Sequence, residues 1–432
     1  MPIPDDAKLI ERRRRLLGPA YRLFYNNPVH LVRGEGVWLY DADGNKYLDM
    51  YNNVPHVGHC HPRVVEALTH QIGTLNTHTR YLHENVLNYA ERLTALMPDE
   101  LSVAMFSCTG SEANELALRI ARSCSDGTGI IVVDNAYHGN TYALAQVSTS
   151  YASAEDKPAN VETVPPPDTF RGQYRDVDAT ERYVTHIEIA IEKLRTNGIK
   201  PAAFMIDTID SSNGVLDVPN GYLKRAAEVI RGAGGLFIAD EVQPGFGRTG
   251  RNFWGFEADD FVPDIVTMGK PMGNGHPLAA TVTRTDLIER FAEKTRYFNT
   301  FGGNPVSAAA GNAVLDVIEN EGLQANAFDV GRHLRDGLLG LADRYKTIAD
   351  VRGSGLFLGV DLATDRDTRA PASALATAIV NDLRERGVLT NTIGAHANIL
   401  KLRPPMVLSK ADADYFLDIF EQSIAAMTAS VC

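Results

Sequence analysis

The sequence lacks the features that would place a protein in a membrane, on a nucleic acid or in an oxidising compartment. Its 432 residues contain no apolar run near the roughly 20 residues that a membrane-spanning helix needs, and Met1–Asp6 lacks signal-peptide character. The formal net charge of -12 disfavours binding to a phosphate backbone or an anionic membrane. The four cysteines show no paired or CxxC spacing, which indicates a reducing compartment. We therefore expect a soluble, cytoplasmic enzyme.

The order of the predicted elements indicates an α/β fold. Between about residues 85 and 320, helical patterns alternate with short apolar strands, for example over 129–133, 202–206 and 235–240. This alternation predicts a mostly parallel sheet with helices on both faces. Residues 150–180 are rich in Pro, Thr, Asp and Arg and are predicted to form a long functional loop.

The two ends of the chain are predicted to form a second, smaller domain. A helical arm is expected up to about residue 30, and alternating residues around an Asp-Gly-Asn turn predict a hairpin over 34–49. After about residue 320 the elements follow an α+β pattern. We therefore expect residues 1–50 to contribute an arm and hairpin to the small domain, 51–320 to form the large domain, and 321–432 to complete the small domain.

One lysine stands at the end of a predicted core strand. The apolar run Ile265–Met268 is followed by Gly269 and Lys270, and then by Pro271 and two more glycines. Burial there should lower the pKa of the amine from its reference of about 10.4 and free it as a nucleophile or base. Such a lysine can form a Schiff base with an aldehyde cofactor. A surface lysine that follows a strand is the alternative.

Two further groups follow predicted strands, and ligands bind beyond the carboxyl ends of parallel strands. Gly110 and Ser111 open a helix, where free N–H groups and the helix dipole favour a phosphate, although a plain N-cap is the commoner explanation. Asp240 ends a strongly apolar strand and needs a partner, because an unpaired buried charge is costly; a pyridinium nitrogen would serve. An anion cup, a buried acid and a nucleophilic lysine are the contacts that pyridoxal 5'-phosphate (PLP) requires. The sequence therefore predicts PLP.

Two other motifs suggest different cofactors. His56, His59, Cys60 and His61 invite a metal, but no second ligand group at regular spacing accompanies them. Gly245–Gly250 matches the GxGxxG pattern of nicotinamide-binding proteins, but the residues that follow it do not open a helix. We expect no metal site, and we expect the histidines to pack or to line a pocket.

Five segments together resemble the class III aminotransferases, which are PLP enzymes of the aspartate-aminotransferase fold (fold type I). The segments are Thr109–Ala113, Tyr137–Gly139, Asp240–Gln243, Gly269–Lys270 and Phe298–Pro305. The resemblance covers nearly the whole chain. It implies a large domain with a mostly parallel sheet of the seven-stranded type, beside a smaller α+β domain. It also implies an obligate homodimer with two shared sites.

The same resemblance implies a set of cofactor contacts. Lys270 would be the Schiff-base lysine and proton shuttle, and Asp240 would bind the pyridine nitrogen. The other implied contacts are Gly110 and Ser111 on the cofactor phosphate, Tyr137 stacked on the ring beside His138, Val242 behind the ring, Gln243 near the phenolic oxygen, Asp207 near the cofactor, and Thr300 reaching the phosphate of the other subunit.

Four more segments resemble the phospho-lyases of this class, which act on ethanolamine phosphate or 5-phosphohydroxylysine. They are 52–62, 75–80, 167–175 and 261–277. Many aminotransferases have Glu-Pro where this chain has Asp207-Thr208, and Asp207 also differs from the glutamate expected in the lyases. Lys401 stands where ω-aminotransferases carry an arginine for a substrate carboxylate, and a lysine can act as a point charge for phosphate. Arg80, Lys401 and Arg22 are the predicted holders of the substrate phosphate.

The predicted reaction is a β-elimination that converts ethanolamine phosphate to acetaldehyde, phosphate and ammonia. Phosphohydroxylysine stays open as the substrate. An ω-aminotransferase that uses pyruvate or 2-oxoglutarate is the main alternative reaction. A nicotinamide-dependent oxidoreductase using the Gly245–Gly250 segment and a non-catalytic binding protein are alternatives of other classes.

Overall fold

The computed structural model of the chain describes residues 6–150 and 157–429. The helices in this part are α1 (Asp6–Leu17), α2 (Pro62–Thr74), α3 (Glu84–Ala95), α4 (Gly110–Ser125), α5 (Tyr142–Ala145), α6 (Ala179–Thr196), α7 (Tyr222–Gly232), α8 (Thr285–Lys294), α9 (Pro305–Asn320), α10 (Leu323–Arg344), α11 (Ser373–Glu385) and α12 (Lys410–Ala429). None of these helices is long and apolar enough to cross a membrane.

The strands form three sheets. They are β1 (Leu31–Glu35), β2 (Trp38–Asp41), β3 (Lys46–Asp49), β4 (Val103–Ser107), β5 (Gly129–Val133), β6 (Val161–Val164), β7 (Pro201–Asp207), β8 (Leu236–Asp240), β9 (Ile265–Met268), β10 (Ala279–Thr283), β11 (Ile348–Ser354), β12 (Phe357–Asp365), β13 (Ala370–Pro371), β14 (Val388–Leu389), β15 (Asn391–Ile393) and β16 (Ile399–Leu402).

The largest sheet has seven strands in the order β4-β10-β9-β8-β7-β5-β6. Neighbours from β9 to β6 are parallel, and only β10 runs against the strands beside it. Strands β5, β7 and β9 are buried along their whole length because helices cover both faces, which explains their near-continuous apolar sequence. The predicted α/β fold with a mostly parallel seven-stranded sheet is confirmed.

The two smaller sheets join the ends of the chain. The hairpin β2–β3 forms around the predicted turn, where the Asp41 carboxylate accepts the backbone N–H of Asn45 at 2.8 Å. Strand β14, which lies far along the chain, adds to β3 in parallel, and the third sheet has the order β11-β12-β16-β15. We keep the division into 1–50, 51–320 and 321–432 as a proposal, since β3 and β14 share one sheet.

The structure differs from the predicted elements in three places. Helix α1 ends at Leu17, where Gly18 adopts φ +71°, so the helical arm is shorter than expected. Strand β6 lies inside the segment 150–180 that was predicted to be a loop, and residues 151–156 of that segment lie outside the described residues. Strand β10 was missed because Ala-Ala-Thr-Val-Thr has little of the bulk and alternation that mark a strand.

The GxGxxG segment forms turns and opens no helix. Phe246, Gly247 and Gly250 all have φ between 66° and 79°. A Cβ on Gly250 would lie 2.6 Å from the Cα of Phe328 on α10, so glycine permits a close contact with this helix. The next regular element is a short 3₁₀ helix, Gly255–Asp259. The segment therefore lacks the helix start that the nicotinamide-binding pattern requires.

The histidines of the 56–61 segment point to different partners. His56 is fully buried and bonds to the carbonyl oxygen of Phe246, while His59 bonds to Asp49. The side chain of His61 caps α2. Among the described residues, no group of three or more His, Cys, Asp or Glu side chains could hold a metal ion.

Candidate active site

Two cavities meet at the carboxyl edge of the large sheet. The first, of about 330 Å³, lies beyond β4, β7, β8 and β9, and Gly110, Asp207, Asp240 and Lys270 line it. This volume is at the lower end of the ~300–1,000 Å³ that is usual for ligand sites. The second, of about 380 Å³, shares Tyr137, Gln243 and Lys270 with the first and is also lined by Lys401 of β16. Since parallel strands end at one edge, the sheet brings these groups together.

Lys270 follows β9 and is half-buried between the two cavities. The pKa of its amine is lowered to about 8, chiefly by burial and next by the positive charge of Arg403, while Asp240 and Asp207 act in the opposite direction. A substantial fraction of the amine is therefore neutral at mildly alkaline pH. A neutral amine at this position can attack an aldehyde carbon or accept a proton.

Asp240 is buried and held by three donors. Its Oδ2 accepts hydrogen bonds from the Asn114 amide at 2.9 Å and from Nδ1 of His138 at 2.7 Å. Its Oδ1 accepts the backbone N–H of Val242 at 3.1 Å. The other ring nitrogen of His138, Nε2, is buried and has no hydrogen-bond partner among the described residues. These contacts fix the carboxylate at the wall of the first cavity.

Asn114 is a site residue that the sequence reasoning missed. It lies on α4, is buried, and accepts a hydrogen bond from the Thr267 hydroxyl on β9. It thus ties the helix that starts at Gly110 to the strands that carry Asp240 and Lys270. The available signal was an amide placed on the otherwise apolar inner face of this helix, since a buried polar group has to be hydrogen-bonded.

The start of α4 faces the first cavity with free backbone donors. Thr109, not Ser111, is the N-cap, and Thr109 and Glu112 form a capping box. Ser111 instead donates its hydroxyl to the Asn140 side chain at 3.1 Å. A Cβ on Gly110 would lie 3.0 Å from the Val242 side chain, so this close approach favours glycine. A helix N-terminus of this kind suits a phosphate group.

Tyr137, Gln243 and Asp207 border the first cavity. The Gln243 amide donates to the Ser211 hydroxyl at 2.6 Å, and that hydroxyl donates to Asp207. Burial raises the pKa of Asp207, and the nearby charge of Asp240 raises it further. Next to Asp207, the Thr208 hydroxyl donates a hydrogen bond to the buried carboxylate of Glu241. A proline at position 208, as many aminotransferases have, could not make this contact.

Lys401 and Arg403 bring two basic side chains to the second cavity. Lys401 is buried on β16, and its amine donates to the Ser211 carbonyl at 3.0 Å and to the Gln243 side chain at 3.2 Å. Burial lowers the pKa of Lys401 well below its usual value, and the charge of Arg403 adds to this effect. Arg403 lies with its guanidinium 4.3 Å from the centre of the Tyr51 ring.

Arg403 is the second residue that the sequence reasoning missed. Its guanidinium donates to Asn53, which is 350 positions away in the chain, and to Gln243. The sequence offered one signal, because residues two apart in a strand share a face and Arg403 follows Lys401 by two. Only the approach of residues 51–53 shows that this face borders the second cavity.

Three predicted site residues line neither cavity within the single chain. Arg22, Arg80 and Thr300 are all exposed. The Arg80 guanidinium lies over the ring of Phe298 at 3.8 Å, close in sequence to Thr300. Their predicted roles stay predictions, and for Thr300 the predicted contact is with the site of a second subunit.

The first cavity fits PLP on four observations. Free N–H groups at the start of α4 can hold a phosphate, and the fixed Asp240 carboxylate can face a protonated ring nitrogen. The half-buried Lys270 amine stands between them and the second cavity. The side chains of Tyr137 and Val242, which line the same cavity, can flank a flat ring.

Comparisons with known proteins agree with this geometry. A model of the family "Aminotransferase class-III" matches residues 23–424. The chain is 42% identical to the alanine–glyoxylate aminotransferase 2-like protein of Drosophila melanogaster, over 98% of this chain and 87% of the relative. It is 38% identical to the ethanolamine-phosphate phospho-lyase homolog 1 of Caenorhabditis elegans, over 94% and 91%.

A solved structure extends the likeness to the fold. A phospholyase from Arthrobacter, in complex with phosphoethanolamine, is 45% identical and superposes with a TM-score of 0.94, covering 97% of this chain and 99% of that one. The family match spans most of the chain, and the identity to both relatives holds over nearly all of it. The chain therefore belongs to the class III aminotransferases, a family of PLP-dependent enzymes with fold type I.

Proposed function

We propose that this protein is a PLP-dependent phospho-lyase that converts ethanolamine phosphate to acetaldehyde, phosphate and ammonia. The observation that carries the proposal is the pair of basic side chains, Lys401 and Arg403, in the cavity next to Lys270. A cationic pocket beside the reactive amine suits a phosphate dianion on the substrate carbon that neighbours the amine. The Arthrobacter phospholyase, whose structure holds phosphoethanolamine, supports the substrate class.

The residues of the first cavity would hold the cofactor. When bound, PLP supplies an aldehyde for the substrate amine and a ring that takes up the electron pair of the broken C–H bond. Backbone N–H groups at Gly110 and Ser111 would bind its phosphate, and the other lining residues would surround its ring: Tyr137, His138, Val242, Gln243 and Asp207. Asp240 would face the ring nitrogen and favour its protonated form, because Asn114 and His138 fix the orientation of the carboxylate.

Lys270 and the second cavity would carry out the elimination. The Lys270 amine removes a proton from the amine-bearing carbon of the substrate. The C–O bond of the neighbouring carbon then breaks, and the electron pair leaves with the phosphate, which Lys401 and Arg403 hold. Water completes the reaction by releasing acetaldehyde and ammonia. Arg80 and Arg22 stay as weaker candidates for the same phosphate.

Burial makes the charge of Lys401 depend on its ligand. Without an anion, burial and Arg403 favour the neutral amine. A phosphate dianion in the second cavity favours the charged amine, so substrate binding should take up a proton at Lys401. The cavity thereby avoids holding two unpaired cations when no substrate is bound.

We also propose a homodimer with shared sites. Four exposed aromatic or aliphatic side chains, Tyr81, Leu82, Phe298 and Phe301, lie next in sequence to the predicted site residues Arg80 and Thr300. Leu82 is 96% exposed, which is unusual for a leucine unless a partner covers it. Sedimentation of the holoenzyme tests this arrangement.

An ω-aminotransferase is the second candidate, because the Drosophila relative carries an aminotransferase name. The deciding assay measures phosphate release from ethanolamine phosphate and from 5-phosphohydroxylysine, side by side, with no 2-oxo acid present. The proposal expects release from ethanolamine phosphate without an acceptor. Turnover that requires pyruvate or 2-oxoglutarate and releases no phosphate would overturn it.

A further inference from the structure

The segment Pro167–Arg175 borders neither cavity, but several hydrogen bonds hold its turn in one conformation. The Asp168 carboxylate accepts the backbone N–H groups of Phe170 at 2.7 Å and Arg171 at 2.9 Å. The backbone carbonyl oxygen of Asp168 accepts a hydrogen bond at 2.8 Å from the hydroxyl of Tyr183, a buried residue of α6. A Cβ at Gly172 would lie 2.1 Å from that same carbonyl oxygen, so the turn requires glycine. The segment is thus fixed to the large domain.

Arg171 joins this segment to the small domain. Its Nε donates to Oδ2 of Asp361 at 2.8 Å and its Nη2 donates to Oδ1, which is the two-point geometry that arginine makes with a carboxylate. Asp361 is fully buried on β12. The same carboxylate also accepts from Arg352 at 3.2 Å and from the Asn398 amide at 2.8 Å. One buried carboxylate therefore connects two arginines from different parts of the chain.

Asp361 shares a sheet face with Lys401. Gly359 pairs with Lys401 and Asp361 pairs with Ile399 in the β12–β16 register. Alternate residues of a strand lie on one face, so Asp361, Ile399 and Lys401 face the same side. Arg352, opposite Gly359 on β11, belongs to this face as well.

This face holds the segment 211–214 at two points. The Lys401 amine donates to the Ser211 carbonyl at 3.0 Å, and Arg352 donates to the Gly214 carbonyl at 3.0 Å. The absence of a side chain at Gly359 permits the contact, since a Cβ there would lie 2.4 Å from the Gly214 carbonyl oxygen. The placement of Lys401 relative to the second cavity therefore depends on how this face sits on the large domain.

We propose that Arg171 is a positioning residue for Lys401, and that it sets the affinity of the second cavity for the phosphate group of the substrate. The inference rests on the proposed function, because it takes Lys401 as a holder of that phosphate. Arg171 acts through Asp361: its two hydrogen bonds fix the sheet face that carries both Asp361 and Lys401. A small displacement of a binding group has a large effect on a site of fixed geometry.

The test is a double-mutant cycle on the holoenzyme, with inorganic phosphate as the probe and calorimetry as the readout. Arg171→Met should weaken phosphate binding about tenfold, and Arg171→Lys should weaken it less. In the Lys401→Met background, Arg171→Met should cause no further loss. Arg182→Met is the matched control, because Arg182 contacts the same segment at Tyr174 and pairs with Asp176 on the surface.

Each outcome decides between the inference and its alternatives. Equal losses from Arg171→Met in both backgrounds, or no loss in either, would overturn the positioning role and leave the phosphate site in place. Unchanged phosphate affinity in Lys401→Met alone would overturn the proposed phosphate site, and the inference with it. If the Arg171→Met variant does not retain the absorbance of the bound cofactor, the cycle is repeated with Arg171→Lys, alone and in the Lys401→Met background. The same criteria then apply.

Discussion

The two cavities that meet at Lys270 are built in different ways. The first is lined mostly by residues at the ends of strands and at one helix start, all within the large sheet region, such as Asp240 after β8 and Gly110 after β4. The second combines distant segments, and its contact between Asn53 and Arg403 spans 350 positions. The difference suggests that the first cavity serves chemistry common to the family, while the second selects the substrate and thereby the reaction.

The largest effect is expected at Lys270, one of the three residues that line both cavities. Lys270→Ala removes the amine that binds the cofactor and accepts the proton, so phosphate release should fall at least about 10³-fold. Release is measured with ethanolamine phosphate. Lys224→Ala, at an exposed lysine of α7, is the control and should retain full activity. Substantial phosphate release by Lys270→Ala would contradict the role given to this amine.

Asp240→Asn should follow in size, with a loss of about 10²–10³-fold, because the neutral amide cannot stabilise a protonated ring nitrogen. The loss should appear in phosphate release and equally in any transfer of an amino group, since the first cavity serves both. Asp336→Asn, at an exposed residue of α10, is the control. If Asp240→Asn kept one of these two reactions and lost the other, the claim that the first cavity serves both reactions would be contradicted.

Changes in the second cavity should be smaller and selective. Lys401→Met and Arg403→Met should each lower kcat/KM for ethanolamine phosphate by about 10–100-fold, which corresponds to the loss of a hydrogen bond to a charged group. Cofactor affinity, measured by fluorescence titration of the apoenzyme, should change little. An equal loss of cofactor affinity would show that the two cavities do not divide their tasks in this way.

The smallest predicted effect concerns the pKa of Lys270, which the charge of Arg403 in the second cavity helps to lower. Only the neutral amine of Lys270 attacks the cofactor aldehyde, so the rate at which the apoenzyme takes up PLP should rise with pH and level off above about 8. Because the charge of Arg403 helps to lower this pKa, Arg403→Met should shift the midpoint upward. Stopped-flow absorbance across a pH series measures both midpoints. A plateau that begins near pH 10 in the unchanged protein would contradict a lowered pKa.

Most of the large domain was predictable because its signals are local. The strands 129–133 and 265–268 were predicted with the bounds that the structure has, since burial on both faces leaves an apolar run with clear ends. Strand β10 was missed because it is short and rich in small residues. Strand β6 was missed because Val161–Val164 has two polar residues at its centre and lies in a polar segment.

The sequence by itself determined the fold class, the PLP cofactor and the three groups Lys270, Asp240 and Gly110–Ser111 as candidates, because strand ends and a helix start are marked by neighbouring residues. The tertiary structure alone decided which side chains surround them. It placed Asn53 on Arg403, Asn114 on Asp240, and Arg171 on Asp361. These contacts join residues that are far apart in the chain, and they arise from the packing of distant elements on one another, which no local pattern encodes.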